Sequence, residues 1–266
     1  MPRLAPTFRL PAHALGCRRQ DRPGRKRSSN EDAFSLRADL GFFALADGMG
    51  GHAAGEVASQ MAVDRVTEEF LAAGSDALAA EALESALVAA THRANAAIFE
   101  RGERELDKAG MGTTLTTLGL VPAERAYRVA QVGDSRAYRL RADTLVQLTT
   151  DHTWVQQQVQ LGRLSPGLAR RHPFANIVTR ALGIRDEIDV DIVRGELQPG
   201  DVFLLCSDGL TGMVDDAEIG EILASSAAPE AAATALVDAA NAAGGQDNIT
   251  AIVISILGDR ARKDVS

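Results

Sequence analysis

The 266-residue chain is short of aromatic side chains, which make up 4% of it, so alanine, leucine and valine have to build the core. It has two cysteines, Cys17 and Cys206, and Cys206 lies in an apolar run beside Asp208. That placement excludes a disulfide scaffold and makes Cys206 a small packed hydrophobe. No apolar run approaches the ~18 residues of a membrane-spanning helix. The N-terminus carries Arg3 and Arg9 but no apolar signal core. These absences predict a cytoplasmic protein that does not enter a membrane. Basic residues are in deficit, 28 Lys and Arg against 36 Asp and Glu, for a net charge of −8. General nucleic-acid binding is therefore not expected, since it depends on neutralising phosphates. Zinc-spaced Cys/His pairs, a D-x-[DN]-x-[DN]-G calcium loop, a fixed-period repeat and a low-complexity linker are all missing.

What is present centres on Phe42-Phe43-Ala44-Leu45-Ala46-Asp47-Gly48-Met49-Gly50-Gly51-His52. Six residues read as a strand covered on both faces. The strand ends in an acid, three glycines and a histidine, and a helical pattern follows at once. Side chains alternate along a strand, so Phe43, Leu45 and Asp47 share one face. Val202–Ser207 repeats the pattern and ends in Asp208-Gly209, with Leu204, Cys206 and Asp208 expected on one face. Ala126–Gly133 runs into Asp134, and Asp247 precedes the strand Ile249–Leu257. Asp-Gly alone is an ordinary turn signal. The information is in four aspartates at four strand ends.

The remaining pattern supplies the frame. Apolar residues recur at helical spacing over 53–71 and 76–100, with Asp76 as the expected N-cap of the second helix. Strand patterns follow at Thr113–Leu120, Ala126–Val132, Arg136–Leu140 and Leu145–Leu148, joined by short turns that favour antiparallel neighbours. Asp151–Gly162 and Ser165–Arg171 read as short helices, the second stopped at His172-Pro173. Strands Ile188–Val193 and Val202–Ser207 precede two more helices, Asp216–Ser225 and Pro229–Ala243. Without regular β-α-β alternation, the order predicts an α+β sandwich of antiparallel sheets with helix pairs outside. Residues 14–257 are expected to form one domain. Residues 1–13 would be an arm that either begins a strand near Phe8 or frays, and 258–266 a loose tail.

Gathering four carboxylates is costly. Two unit charges ~4 Å apart repel by about 4 kcal/mol at an effective dielectric near 20. Oxygen-only ligands select Mg²⁺, Mn²⁺ or Ca²⁺. Two such ions can share an aspartate and a water that loses its proton readily and attacks in line. The substrate suited to this is a phosphate ester, and an arginine fork would grip it. The basic run Arg18–Arg27, directly before Ser28-Ser29-Asn30-Glu31-Asp32, supplies candidates.

Eight motifs in order resemble the metal-dependent Ser/Thr protein phosphatases of the 2C type, in their short bacterial form. They are Asp21-x-x-Gly24-x-x-Arg27-x-x-Asn30-Glu31-Asp32-Ala33, Asp47–His52 with Gly55-Glu56-x-Ala58-Ser59, Met111-Gly112-Thr113-Thr114, and Val132-Gly133-Asp134-Ser135-Arg136. Leu148-Thr149-x-Asp151-His152, Asn176–Gly183, Ser207-Asp208-Gly209-Leu210 and Gly245-Gln246-Asp247-Asn248-Ile249-Thr250 complete the set. The resemblance implies a four-layer α/β/β/α sandwich with a flap over about 151–183. It implies two Mn²⁺ or Mg²⁺ ions and a weaker third. Asp47 would bridge the two ions, the Gly48 carbonyl would bind one, and Asp208 and Asp247 would complete the ligands. Asp134, with Asp208, would hold the third. Glu31 would act through water, Asp32 would orient that shell, and Arg27 would bind the substrate phosphate. A hydroxide bridging the metals would attack phosphoserine or phosphothreonine in protein substrates, reversing a cognate Ser/Thr kinase, with the chain a monomer by default.

One position departs. Animal members place a histidine two residues after the aspartate, where this chain has Met49; His52 is either a general acid or a structural residue of the turn. Arg136 and Arg180 are expected to pair with nearby acids, His152 and His172 to cap or pack, and Trp154 to anchor a helix. Two other activities fit the same acids: hydrolysis of small phosphoesters, and phosphoprotein binding without turnover. A dinucleotide site at Gly48-x-Gly50-x-x-Ala53 does not fit, because two long helices follow where a second parallel strand belongs.

Overall fold

A computed structural model describes residues 15–19, 29–50, 53–72 and 79–257, with backbone alone for 15–19. In chain order the elements are β1 (Leu15–Arg19), β2 (Asp32–Arg37), β3 (Phe42–Met49), α1 (Ala53–Ala72), α2 (Ala80–Arg104), β4 (Gly112–Thr113), β5 (Leu115–Val121), β6 (Ala126–Val132), β7 (Arg136–Arg141) and β8 (Thr144–Gln147). Then come α3 (Trp154–Gln160), α4 (Pro166–Ala169), β9 (Asp191–Glu196), β10 (Val202–Cys206), α5 (Asp208–Thr211), α6 (Asp216–Ser225), α7 (Pro229–Ala242) and β11 (Thr250–Ser255).

The strands form two antiparallel sheets, β1-β11-β10-β7-β8 and β2-β3-β5-β6-β9, with the two-residue β4 added beside the end of β3. Alternation along the strands builds three apolar layers. Phe43, Leu45, Leu118, Val129, Phe203, Leu205, Ile252 and Ile254 fill the space between the sheets. Phe42, Ala44 and Ala46 point the other way, under α1 and α2. Phe42 stacks on Phe70 of α1 with ring centroids 4.3 Å apart. On the far side Leu204, Cys206, Ala251 and Val253 meet Leu210, Ile219, Leu236 and Val237. The result is helix pair, sheet, sheet, helix pair, and burying both faces of each sheet lets an aromatic-poor chain make its core.

Three sequence expectations need correction. Leu204 and Cys206 face α6 and α7 rather than the inter-sheet core, so Asp208 does not arrive by the strand parity that brings Asp47. It is the first residue of α5, and the strand has already ended at Cys206. The second long helix begins at Ala80, so Asp76 is not its N-cap and lies outside the described residues. Its leading N–H, on Ala80, donates to the Glu124 carboxylate at 3.3 Å. A neighbour from the β5–β6 turn thus replaces the local cap. The helix expected from Asp151 starts at Trp154, because the Thr153 hydroxyl accepts from Gln156 N–H at 3.2 Å and sets the cap there. The arm at 1–13 and the tail at 258–266 lie outside the described residues.

Candidate metal centre

Asp47 occupies a break in the ladder of β3. The strand pairs with β5 as far as Leu45 and with β4 from Gly48. Between these, Asp47 N–H donates to Thr114 Oγ1 at 2.9 Å. The Asp47 carbonyl accepts from Thr114 N–H and Thr113 Oγ1, both at 2.9 Å. On its other side β3 pairs with β2 so that Asp32 lies opposite Asp47. Gly48 N–H donates to the Glu31 carbonyl at 3.1 Å, and a Cβ on Gly48 would collide with the Gly55 carbonyl. That close approach is why glycine follows Asp47. Across it, the side chain of Glu31, itself buried, lies against Gly55 at the start of α1.

Asp208 and Asp247 come from the other sheet. Asn248, between Asp247 and β11, accepts from Glu31 N–H at 2.9 Å and donates through Nδ2 to the Ser29 carbonyl at 2.8 Å. It therefore ties the segment before β2 to the turn that carries Asp247. Asp32 crosses the same gap: its Oδ2 accepts from Ser207 Oγ at 2.9 Å and Thr250 Oγ1 at 2.6 Å. Its Oδ1 is buried and has no hydrogen-bond partner. A buried carboxylate oxygen with no donor is expensive unless water or an ion meets it.

Asp134 sits in the turn between β6 and β7, and His152 holds that turn. His152 N–H donates to the Gly133 carbonyl at 2.9 Å, and Gly133 N–H donates to His152 Nδ1 at 3.0 Å. Nε2 of the same ring is 3.1 Å from Asp191, which also accepts from Arg180 at 2.6 Å. Arg136 holds Asp151 through Nε and Nη2, at 2.9 and 2.6 Å, and donates from Nη1 to Tyr138 Oη at 2.8 Å. His172 and Phe174 pack round Trp154, with ring centroids 5.2 and 5.6 Å from it.

Electrostatics identify the acids as one cluster. Burial, and then the charges of Asp32, Asp208, Asp134 and Asp247, hold the Asp47 carboxyl well above the usual carboxylate range. Asp47 keeps a partly exposed edge, but protein atoms enclose the rest. Burial lifts Asp32 to about 7, against the hydroxyls of Thr250 and Ser207, with Asp208 and Asp247 adding to the rise. Asp134 also reaches about 7, through burial first and then Asp208 and Asp151. Such groups take up protons or a cation. Among the described residues no three His, Cys, Asp or Glu side chains are arranged to hold an ion unaided. The donor set nevertheless fits a hard divalent ion, because Mg²⁺ and Mn²⁺ use one or two carboxylates and keep several waters. The partnerless Asp32 oxygen and the mutual repulsion of the aspartates are what such a hydrated ion would relieve.

Beside the cluster runs a cleft of about 400 Å³, lined by Asp134, Asp208 and Asp247, by Arg136 and Arg170, and by residues between α3 and β9 such as Asn176. The structure thus brings Asp47, Gly48, Asp134, Asp208, Asp247, Asp32 and Glu31 together. Arg27 and His52 lie outside the described residues. The supports Thr114, Ser135 and Asn248 carry no assigned role from sequence, although each lies within a motif, and His152 is expected from sequence only to cap or pack. Ser135 and Asn248 have only adjacency to an aspartate of the site as a signal, and Thr114 has only its place in the Met111–Thr114 motif.

A model of the family described as Protein phosphatase 2C matches residues 19–250. The serine/threonine phosphatase stp of Listeria innocua is 41% identical over 239 residues, covering 89% of this chain and 93% of that protein. The crystal structure of the Mycobacterium tuberculosis serine/threonine phosphatase PstP/Ppp superposes with a TM-score of 0.82 at 38% identity, over 92% of this chain and 99% of that one. The catalytic domain of PstP in complex with two manganese ions gives 0.80 at 36% identity, with 92% and 99% covered.

Proposed function

The chain belongs to the protein phosphatase 2C family, and we propose that it removes phosphate from phosphoserine and phosphothreonine in proteins. It is a serine/threonine protein phosphatase dependent on Mn²⁺ or Mg²⁺. The observation that carries this reading is the enclosure of Asp47 by four other aspartates beside an open cleft. Divalent cations, when bound, supply an attacking water of lowered pKa and a clamp on the phosphate oxygens. Asp47, Asp208 and Asp247, with the Gly48 carbonyl, would hold the two principal ions, and Asp134 with Asp208 a third. Glu31 would reach its ion through water, and Asp32 would orient that water with the oxygen that lacks a protein donor.

Arg27 would grip the substrate phosphate, as a planar fork suits. His52 is left as a turn residue or proton donor. Residues 14–257 act as the catalytic domain, with 151–183 as its flap. Among the described residues no helix is long and apolar enough to cross a membrane. We place the enzyme in the cytoplasm as a monomer, opposing a Ser/Thr kinase. The test is turnover of a phosphothreonine peptide with and without Mn²⁺, beside Asp208→Asn. Metal-dependent release of phosphate, lost in the variant, is expected. Preference for a nucleotide over the peptide would move the reading to small phosphoesters, and no turnover of either would make the chain a binding module.

A further inference from the structure

Thr114 lies between β4 and β5 and belongs to neither. It is 1% exposed, and Ser135 is fully covered. Where the ladder of β3 breaks, the Thr114 hydroxyl takes the place of a backbone acceptor and receives the Asp47 N–H at 2.9 Å. The same oxygen is 2.8 Å from Ser135 Oγ. Ser135 follows Asp134 directly, and its carbonyl is held by Gln131 Nε2 at 2.7 Å and Thr116 Oγ1 at 3.1 Å. The other side of Thr114 packs on Gly133, whose φ is +103° and where a Cβ would lie 2.6 Å from Thr114 Cβ and Cγ2. One small side chain therefore touches the main chain of Asp47 and the turn that carries Asp134.

We propose that Thr114, paired with Ser135, is a positioning residue that fixes the separation of Asp47 and Asp134, and so couples the cations held at the two. This rests on the reading of those aspartates as metal ligands. The contact is hydroxyl chemistry in a dry setting, where losing an acceptor leaves a buried N–H unsatisfied. Valine has the shape of threonine without the oxygen, whereas serine keeps the oxygen without the methyl.

The experiment is calorimetric titration of Mn²⁺ into the metal-free full chain, for wild type, Thr114→Val, Thr114→Ser, Ser135→Ala and the Thr114→Val/Ser135→Ala double variant, with thermal unfolding run beside each. Thr114→Val is expected to weaken the tightest Mn²⁺ binding about ten-fold, Ser135→Ala less, and Thr114→Ser to restore wild-type binding. The double variant should bind no worse than Thr114→Val, because both remove one link. Wild-type binding by Thr114→Val, a Thr114→Ser as weak as the valine form, or additive losses in the double variant would overturn the proposal. If Thr114→Val does not fold, Ser135→Ala decides: weakened binding supports the link, and wild-type binding overturns it. Failure of the wild-type chain to bind Mn²⁺ would overturn the reading of the aspartates and this proposal with it.

Discussion

Strand β10 has an aspartate before its first residue and another after its last, and the two ends of the sandwich treat them differently. At the first end Asp201, its side chain fully covered, receives Arg141 Nε at 2.6 Å and Nη2 at 2.7 Å, with Gln198 N–H at 2.8 Å. At the other end Asp208 joins Asp32, Asp47 and Asp134, and its charge raises the proton affinity of all three. The chain can neutralise a buried aspartate with a well-placed arginine, and does so at Asp201. Where the acids crowd together, their mutual repulsion costs stability, the pattern expected of a site that takes up a cation.

The largest effects are expected at Asp47. Asp47→Asn is expected to lower phosphopeptide turnover by about a thousand-fold or more, a magnitude typical of losing a main electrostatic element. The same change should raise the melting temperature of the metal-free chain, since it removes one of several repelling charges. A lower melting temperature would make Asp47 a structural residue. Asp201→Asn should do the reverse. It should cost roughly 2–3 kcal/mol of stability, discounted because Arg141 is partly exposed, while kcat stays close to wild type. Urea unfolding curves read the first, and steady-state kinetics the second.

Arg27→Ala is expected to raise KM for phosphopeptides about ten-fold with a smaller change in kcat, as loss of a phosphate contact does. A fall in kcat alone would move Arg27 from binding to chemistry. The smallest effect is the dependence of stability on pH in the absence of metal. Asp32, Asp47 and Asp134 have folded-state pKa values above those of unfolded aspartate. Their contribution is fully present below the unfolded value near ~4 and is lost as pH rises through the folded values, about 7 for Asp32 and Asp134 and well above the unfolded value for Asp47. The metal-free chain should therefore melt lower at about pH 8 than at about pH 5, and saturating Mn²⁺ should narrow the gap. A metal-free melting temperature that rises over that interval would contradict the repulsion.

The alternating apolar runs made the sandwich legible, because each strand carries its burial pattern within a few residues. The four strand-end aspartates were legible for the same reason. Two things were not. The parity of Leu204, Cys206 and Asp208 points to the wrong layer, because the turn at Ser207 and the start of α5 bring Asp208 to the site. The supports for the acids were also hidden. Thr114 bonds a main-chain N–H 67 residues away, and Asn248 one 217 residues away. Contacts of that span leave no periodic trace, and a threonine or asparagine inside a motif does not announce which backbone it will hold. Glu124 replacing Asp76 at the head of α2 is the same lesson at a helix end.

The most direct measurement is equilibrium dialysis of Mn²⁺ against the metal-free wild-type chain, Asp47→Asn and Asp201→Asn at neutral pH. Wild type and Asp201→Asn should each retain at least two ions per chain, and Asp47→Asn fewer, with its fold intact by circular dichroism. Full Mn²⁺ occupancy in folded Asp47→Asn, or none in wild type, would contradict a cation centre built on the crowded aspartates.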